Sequence, residues 1–532
     1  MKNRIYLSVL LLCLISVLPA QKIFMNTYGG ADEDATYQVV LTPEGNILTV
    51  GYENAMDNTS NFYGRKIYLN WFDTDGNLIS AKAMGLAITE KGYGIMPTSD
   101  GGYIVCSEGK YVVNANCGTD AYLVKMDAQG NKIWAKGIGG LLWDDVYSSV
   151  EIPGGDYVIL GNTASYGNGN FDAYLMRLKA NGDTVWSSTY GSISAPMSAQ
   201  ETARQLIYFK GALYACGTIY HESDAKFYPW VFKTDLGGNL IWSKMLNTNV
   251  TVSSAFGITF QGDDVVIYSG NRLTKIDTSG VLKSLIALPV GFVGQYGNPY
   301  FGNITQTQDG GLVLCGGMQS KACMIKVDSA MQISWVQVYP DVAYDASFAT
   351  SIIELPDGRI AMGGLIYKNN MNDSRLWVTK PDGSLGTCSQ VQTFTPGTAS
   401  GTLVNAPTVA MRTGFLMNSN VAANAWTIPA SEFTLTDRCQ APFVVQTSVQ
   451  TAYESQAVYG PNPVFNNFRI QEIQDIPLSV QVYNLEGKLI PIDYLLTTHH
   501  TLELNMETLK PGVYIVRVLQ SSGNLNLRVI KE

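Results

Sequence analysis

One short pattern returns seven times along the chain. The segments NILTVG (46–51), GYIVCS (102–107), DYVILG (156–161), ALYACG (212–217), DVVIYS (264–269), GLVLCG (311–316) and RIAMGG (359–364) align without gaps. Their spacings are 56, 54, 56, 52, 47 and 48 residues. Self-similarity at such a period means a solenoid, a propeller or an array, so this feature limits the fold more than any other. The last column reads Gly51, Ser107, Gly161, Gly217, Ser269, Gly316 and Gly364. A column that admits only small residues marks a close backbone approach, here expected between neighbouring units.

Each segment follows a turn signal such as PEGN, SDGG or PGGD. These pairs supply the positive φ that tight hairpins need. An apolar strand precedes each turn, and a third strand follows each segment after a loop (KIYLNWFD, AYLVKMD, PWVFKTD). Most units then pass a second tight turn (DTDGN, DAQGN, DLGGN) into a fourth strand such as KIWAKGIGG or TVWSSTYGS. Four antiparallel strands in about 50 residues describe a propeller blade. An open β-solenoid is the competing architecture.

The two ends of the repeat decide between them. The seventh unit reaches its third strand at RLWVTKPDG and then trails into SLGTCSQ, with no fourth strand. KIFMNTYGG (22–30) is a fourth strand with no unit before it. A ring joins these two remainders, and closure removes the exposed edges that an open array would present. The expected fold class is therefore all-β: residues 21–390 form a seven-bladed β-propeller closed by its N-terminal strand.

Residues 1–20 combine Lys2 and Arg4 with an apolar run from Ile5 to Leu18. That is the pattern of a signal peptide cleaved after Ala20, with a membrane anchor as the alternative. No later run approaches the ~18 apolar residues of a membrane span. Charged residues make up 15% of the chain and the net charge is −9, without a basic patch, which argues against nucleic acid as a partner. Seven cysteines remain after signal removal, an odd number, so this is no disulfide scaffold. Cys106, Cys216 and Cys315 share one register column and read as buried thiols. Cys388 and Cys439 could form a disulfide.

Strand order places the short Asp-Gly turns on one face of the ring and the long loops on the other. Loops on a rigid scaffold are where binding sits. Those of the second face are rich in Tyr, Phe, Asn, Asp and Gly, which suits a glycan or protein ligand. Trp143, Asp144 and Asp145 form the favoured cluster, although such acids also satisfy turn amides. His221 is the one histidine of the propeller, so neither a catalytic triad nor a histidine metal set is readable. No cofactor is expected. Asp32, Glu33 and Asp34 could take Ca²⁺ with loop carbonyls, but ADEDA lacks an EF-hand pattern. The leading expectation is a binding or adhesion module rather than an enzyme. A polysaccharide-acting enzyme using loop carboxylates, or a structural part of a surface complex, is the alternative.

Residues 391–455 are rich in Thr, Ala, Gly and Pro and read as a linker or an irregular β extension. Residues 456–532 form a separate small antiparallel β-sandwich of immunoglobulin-like type, with alternating strands in LSVQVYN and GVYIVRVL. The blocks YGPNPVFNNFRI, VQVYNLEGKLI, LKPGVYIVRV and LRVIKE occur in order. Together they resemble the type A C-terminal sorting domain of the type IX (Por) secretion system of Bacteroidetes. The motif residues that carry the resemblance are Pro461, Asn462, Pro463, Gly487, Gly512 and Tyr514, with Gly460 standing where family members place Tyr. The resemblance implies export by a signal peptide and then by the type IX machinery, ending in release or attachment at the outer surface.

Overall fold

The structure is a computed structural model of the 532-residue chain. It describes residues 22–437 apart from 30–32, 58–61, 85–88, 111–118, 141, 168–170, 193–200, 222–223, 248–253, 290–291, 294–301, 370, 393–401, 406–408, 414–417, 421–424 and 429–433. It also describes residues 459–531 apart from 461–466, 471–478, 485–488, 491, 493, 497–501, 508 and 521–522. The signal segment, Asp32, Cys439, Pro461, Asn462, Pro463 and Gly487 lie outside the described residues. The chain divides into two compact units, 1–427 with 435–444, and 428–434 with 445–532.

The first unit is a closed seven-bladed propeller. Its inner strands are Asp34–Leu41, Thr89–Pro97, Asp144–Glu151, Thr202–Phe209, Ala255–Gln261, Asn303–Gln306 and Ala346–Glu354. Each contacts the next, and the seventh contacts the first. In blade 6 the inner position is split, because Phe292–Val293 pairs with the same neighbouring strand as Asn303–Gln306. The apolar segments read from the repeat are the second strands, buried along their length, as in Tyr157–Thr163 and Leu312–Met318.

Phe24–Gly29 supplies the fourth strand of blade 7. It pairs antiparallel with Met371–Thr379, Phe24 opposite Val378 and Met25 opposite Trp377. Arg359 secures the closure: its Nη1 donates to Lys22 O and, at 2.8 Å, to Thr74 O in blade 1.

The small column has a different cause from the expected contact between units. Each inner strand except that of blade 6 carries a β-bulge. The bulge pushes an inner-strand carbonyl under the second strand of the same blade. A Cβ at Gly51 would lie 1.7 Å from Ala35 O, at Gly161 2.0 Å from Asp145 O, and at Gly364 2.1 Å from Phe348 O. The pressure is within a blade, not between blades.

Fourth-strand tryptophans latch blade to blade. Trp134 Nε1 donates to Ala180 O, Trp186 Nε1 to Leu236 O and Trp242 Nε1 to Thr278 O, each in the following blade. The short Asp turns are self-contained: Asp73 Oδ1 accepts from the amides of Asp75 and Asn77, and Asn77 Nδ2 returns to Asp73 Oδ2.

The stretch after the seventh blade runs back round the ring as a belt of short fifth strands. Gln390–Val391 adds to blade 6, Thr402–Asn405 to blade 4, Val409–Thr413 to blade 3, Asn418–Asn420 to blade 2, Ala425–Ile428 to blade 1 and Thr434–Asp437 to blade 7.

The second unit contains two four-stranded antiparallel sheets. Its core gathers Phe468, Ile470, Val482, Leu502, Leu504, Val516 and Val518. Tyr514 is buried there, and its hydroxyl donates to Lys510 O at 2.8 Å.

Candidate functional site

The bulges that press on the small column also build a site. At each bulge one inner-strand residue is skipped by the pairing register: Tyr37, Tyr93, Tyr147, Arg204, Phe256 and Thr350. A bulge re-aims the extra side chain, and here all six line one cavity on the ring axis. Blade 6 contributes Gly302 at the corresponding place. The cavity is open at its mouth and measures about 570 Å³ when that open space is counted.

Its wall is uneven. On one side aromatic rings follow one another from blade to blade, Tyr37 against Tyr93 at 5.3 Å and Tyr93 against Tyr147 at 4.8 Å between centroids. The Arg204 guanidinium continues the series 4.6 Å from the Tyr147 centroid, in cation–π contact. On the other side Gly302 and Thr350 leave space. Gly302 is held small by its φ of +111° and by Tyr268 and Cys315 O, which a Cβ would meet at 2.9 and 3.2 Å.

Neighbouring polar groups brace the ring. Gln38 Oε1 accepts from Ile95 N at 2.6 Å, Ser148 Oγ from Leu206 N at 3.2 Å, and Gln205 Oε1 from Ile258 N at 2.9 Å, each across a blade junction. Thr350 Oγ1 donates to Thr36 O across the closure.

Trp143, Asp144 and Asp145, expected to act together, enter three environments. Trp143 is 48% exposed on the loop face, edge-on to Phe171. Asp144 is buried and accepts from Gly140 N at 2.8 Å and Ser165 Oγ at 2.6 Å, so it pins two loops. Burial raises its pKa, and that of nearby Asp120 is pushed up to about 6 by burial and by Asp144. Asp145 stands behind the cavity wall. It accepts from Tyr147 Oη at 2.8 Å and Asn162 N at 3.1 Å, and burial lifts its pKa to about 7 against the pull of Arg204.

Of the expected calcium residues, Glu33 pairs with Arg65 at 3.3 Å and Asp34 is buried at the start of its strand. Among the described residues no group of three or more His, Cys, Asp or Glu is placed to hold a metal. His221 Nδ1 lies 2.9 Å from Asp224 Oδ1 in a blade 4 loop. Cys106, Cys216 and Cys315 are buried free thiols whose pKa values burial pushes up to about 12, which makes them poor nucleophiles. Cys388 is disulfide-bonded, and the other four described cysteines are free.

The channel residues were within reach of the repeat. Each stands 13 or 14 residues before the small column, so with a one-residue gap in blades 4 and 5 the alignment contains a second column reading Tyr, Tyr, Tyr, Arg, Phe, Gly, Thr.

Comparison with known proteins bears on the two units differently. Residues 457–532 match the family described as the secretion system C-terminal sorting domain. No curated protein matches the chain. Solved structures similar to the chain include the Pan2 WD40 domain of Neurospora crassa, at 9% identity over 65% of this chain and 89% of that one, TM-score 0.38. A protein of unknown function from Bacteroides caccae shares 10% identity over 60% and 98%, TM-score 0.33. Drosophila Semaphorin 1a, extracellular domains 1-2, shares 9% over 68% and 88%, TM-score 0.38. Likenesses this distant carry no argument about function. No helix among the described residues is long and apolar enough to cross a membrane. The C-terminal match, with its motif blocks, sets the destination as the cell surface or the extracellular space and implies a Bacteroidetes source. The chain is a seven-bladed β-propeller that carries, at residues 457–532, a sorting domain of the type IX secretion system.

Proposed function

We propose that the exported propeller is a binding or adhesion module, recognising a glycan or protein through its loop face and the channel cavity. The observation that carries this reading is the cavity wall of Tyr37, Tyr93, Tyr147 and Arg204. A wall of aromatic rings with few convergent polar groups is the ordinary make-up of a ligand site. Seven equivalent positions serving structure alone would be filled alike, whereas blades 6 and 7 leave theirs small. Trp143, exposed on the loop face, adds an aromatic contact there, and Asp144 holds the loops that carry it.

A second reading, an enzyme acting on extracellular polysaccharide, draws on Asp120 and Asp144. They flank Gly139, whose Cβ would lie 2.2 Å from the one carboxylate and 2.9 Å from the other. Raised carboxyl pKa values suit a general acid. Asp144, however, is already committed to Gly140 N and Ser165 Oγ. One experiment separates the two: a glycan array probed with the secreted mature protein, with reducing-sugar release measured on every ligand found. Retention without release supports the module. Release of sugar, abolished by Asp120→Asn, overturns it in favour of the enzyme, and an array with neither retention nor release removes the glycan reading altogether.

A further inference from the structure

Arg272 is a buried cation without a counter-ion. It opens the third strand of blade 5, Arg272–Ile276, straight after the turn at Gly270 and Asn271. It is 6% exposed, and its Nε and Nη1 are shut in with no hydrogen-bond partner among the described residues. Burial lowers its pKa, with no carboxylate to oppose the shift. The register sets its surroundings. Arg272 lies opposite Ser269, and Ser269 lies opposite Ala255. Alternation puts Ser269 and Arg272 on the side of the sheet that carries Val265, Ile267 and Ile276. Those residues pack against Tyr214, Cys216 and Val231 of blade 4. The guanidinium therefore belongs to the seam between blades 4 and 5, at the end where the second strand turns into the third. Ser269 Oγ is buried and unpartnered there, as are Asn271 Oδ1 and Thr274 Oγ1 nearby in sequence.

Other buried cations of the propeller are matched. Lys125 meets Asp100 at 2.8 Å, Lys326 meets Asp309 at 2.7 Å and Arg359 meets Asp357 at 2.7 Å. Arg375 is the direct parallel, since it stands opposite Gly364 of the small column as Arg272 stands opposite Ser269. Its Nη1 donates to Asp341 Oδ2 at 2.6 Å, a carboxylate from the link between blades 6 and 7. The link between blades 4 and 5, residues 248–254, contains no Asp or Glu, and neither does the stretch 288–302 that follows blade 5. Nor does the fold itself call for a cation here: blades 1 to 4 place Tyr68, Tyr122, Tyr174 and Trp230 at this register position. Water can serve the neutral oxygens of Ser269 and Asn271, but a buried charge left without a partner is strongly destabilising. We propose that blade 5 takes from solution the carboxylate that blade 7 carries in its own chain, with Arg272 as the anchor of a site for a small carboxylate ion. Nη2, the guanidinium nitrogen that is not shut in, is its point of entry. With so little of Arg272 exposed, the occupant is a small ion rather than the acidic face of a macromolecule. Arg272 is not part of the channel lining, so the site stands independently of the binding reading above.

The test follows urea unfolding of the secreted mature protein at neutral pH in rising acetate or acetamide, with chloride holding the ionic strength constant. Acetamide keeps the shape of acetate and lacks its charge. One site on the folded state raises the folding constant about tenfold for each tenfold rise of acetate above its dissociation constant. Acetamide leaves the folding constant where it was. Arg272→Tyr, which supplies the ring that blades 1 to 3 carry at this position, folds and no longer responds to acetate. Saturation-transfer NMR on the acetate methyl protons shows contact with the wild type and none with this variant. The acetate and acetamide comparison needs no variant, so it decides even if Arg272→Tyr misfolds. No response to acetate, or an equal response to acetamide, overturns the proposal. So does an undiminished acetate response in folded Arg272→Tyr protein. A wild-type gain with sulfate and none with acetate overturns the carboxylate as the ion.

Discussion

The ring of Phe24 lies over the α-carbon of Gly76, so close that a Cβ there would stand 2.6 Å from Phe24 Cζ. Phe24 belongs to blade 7 and Gly76 to a third–fourth turn of blade 1. The contact repeats a relationship found elsewhere in the ring, where Trp134 covers Gly182, Trp186 covers Gly238 and Trp242 covers Gly280. In the gapless alignment of fourth strands Phe24 stands in the tryptophan column. The N-terminal strand therefore carries both the missing hydrogen-bonded strand and the ring that packs on the next blade's turn, without the indole hydrogen bond.

Phe24→Ala should cost about 3–5 kcal/mol, the usual loss for truncating a buried phenylalanine. Phe24→Trp should be tolerated, because the neighbouring blades already seat tryptophan on the same turn. Gly76→Ala should also destabilise, since Gly76 has a φ of +83° in addition to the overlying ring. Urea unfolding of the mature protein measures all three. Equal stability of Phe24→Ala and wild type would remove the clasp from the account of closure.

The small column gives a second, internally controlled series. Gly161→Ala places a methyl 2.0 Å from Asp145 O, and the obstructing atom is backbone, so relief requires the bulge to move. A loss of about 1–3 kcal/mol is expected, as for other overpacked sites. The bulge it disturbs carries Tyr147, so ligand binding should weaken in the same variant. Ser107 already has a side chain in this column, and its hydroxyl donates to Tyr122 O at 2.7 Å. Ser107→Ala should cost only about 1 kcal/mol, the value of that hydrogen bond.

Blade number and closure were legible because each blade repeats one register with turn residues at fixed offsets. The cause of the small column was not, since a bulge shifts register by one residue and leaves no composition signal of its own. For the same reason the channel residues escaped notice: Tyr37 and Tyr147 sit inside otherwise ordinary strands, and only alignment against Gly51 and Gly161 lines them up. The belt was illegible because Asn418–Asn420 or Thr434–Asp437 is too short to show any period. Asp144 and Asp145 are adjacent in sequence, but alternation along a strand sends them to opposite sides, one to the loops and one toward Arg204.

Cys388 stands just before the first belt strand and Cys439 two residues after the last. The belt begins on blade 6 and ends on blade 7, which are neighbours in the ring. We expect Cys388 to be joined to Cys439, tying the two ends of the belt. In the chain-entropy picture a loop of this length contributes about 4 kcal/mol. Peptide mapping of the mature protein without reduction should recover the linked Cys388 and Cys439 peptides, and reduction should lower the melting temperature. A Cys388–Cys117 link would overturn the pairing.

Two acids, Asp145 behind the cavity wall and Asp120 beside Gly139, set a pH dependence of definite sign. Asp145 and Asp120 have pKa values raised to about 7 and about 6, burial being the larger cause in each. Unfolded, both titrate near 4. Between about pH 4 and pH 7 the folded protein thus holds more protons than the unfolded chain, so these groups lower stability as pH rises through that window. Asp100 and Asp309 act elsewhere. Burial pushes them up, but hydrogen bonds from Lys125 and Thr98, and from Lys326 and Thr307, prevail and hold both near 2, so their contribution is lost only in stronger acid. Urea midpoints should accordingly be higher at pH 5 than at pH 8. Asp145→Asn, which cannot ionise, should flatten most of that difference while keeping an acceptor for Tyr147 Oη. Urea unfolding of wild type and variant at both pH values checks this, and an unchanged pH profile in the variant would detach Asp145 from the effect.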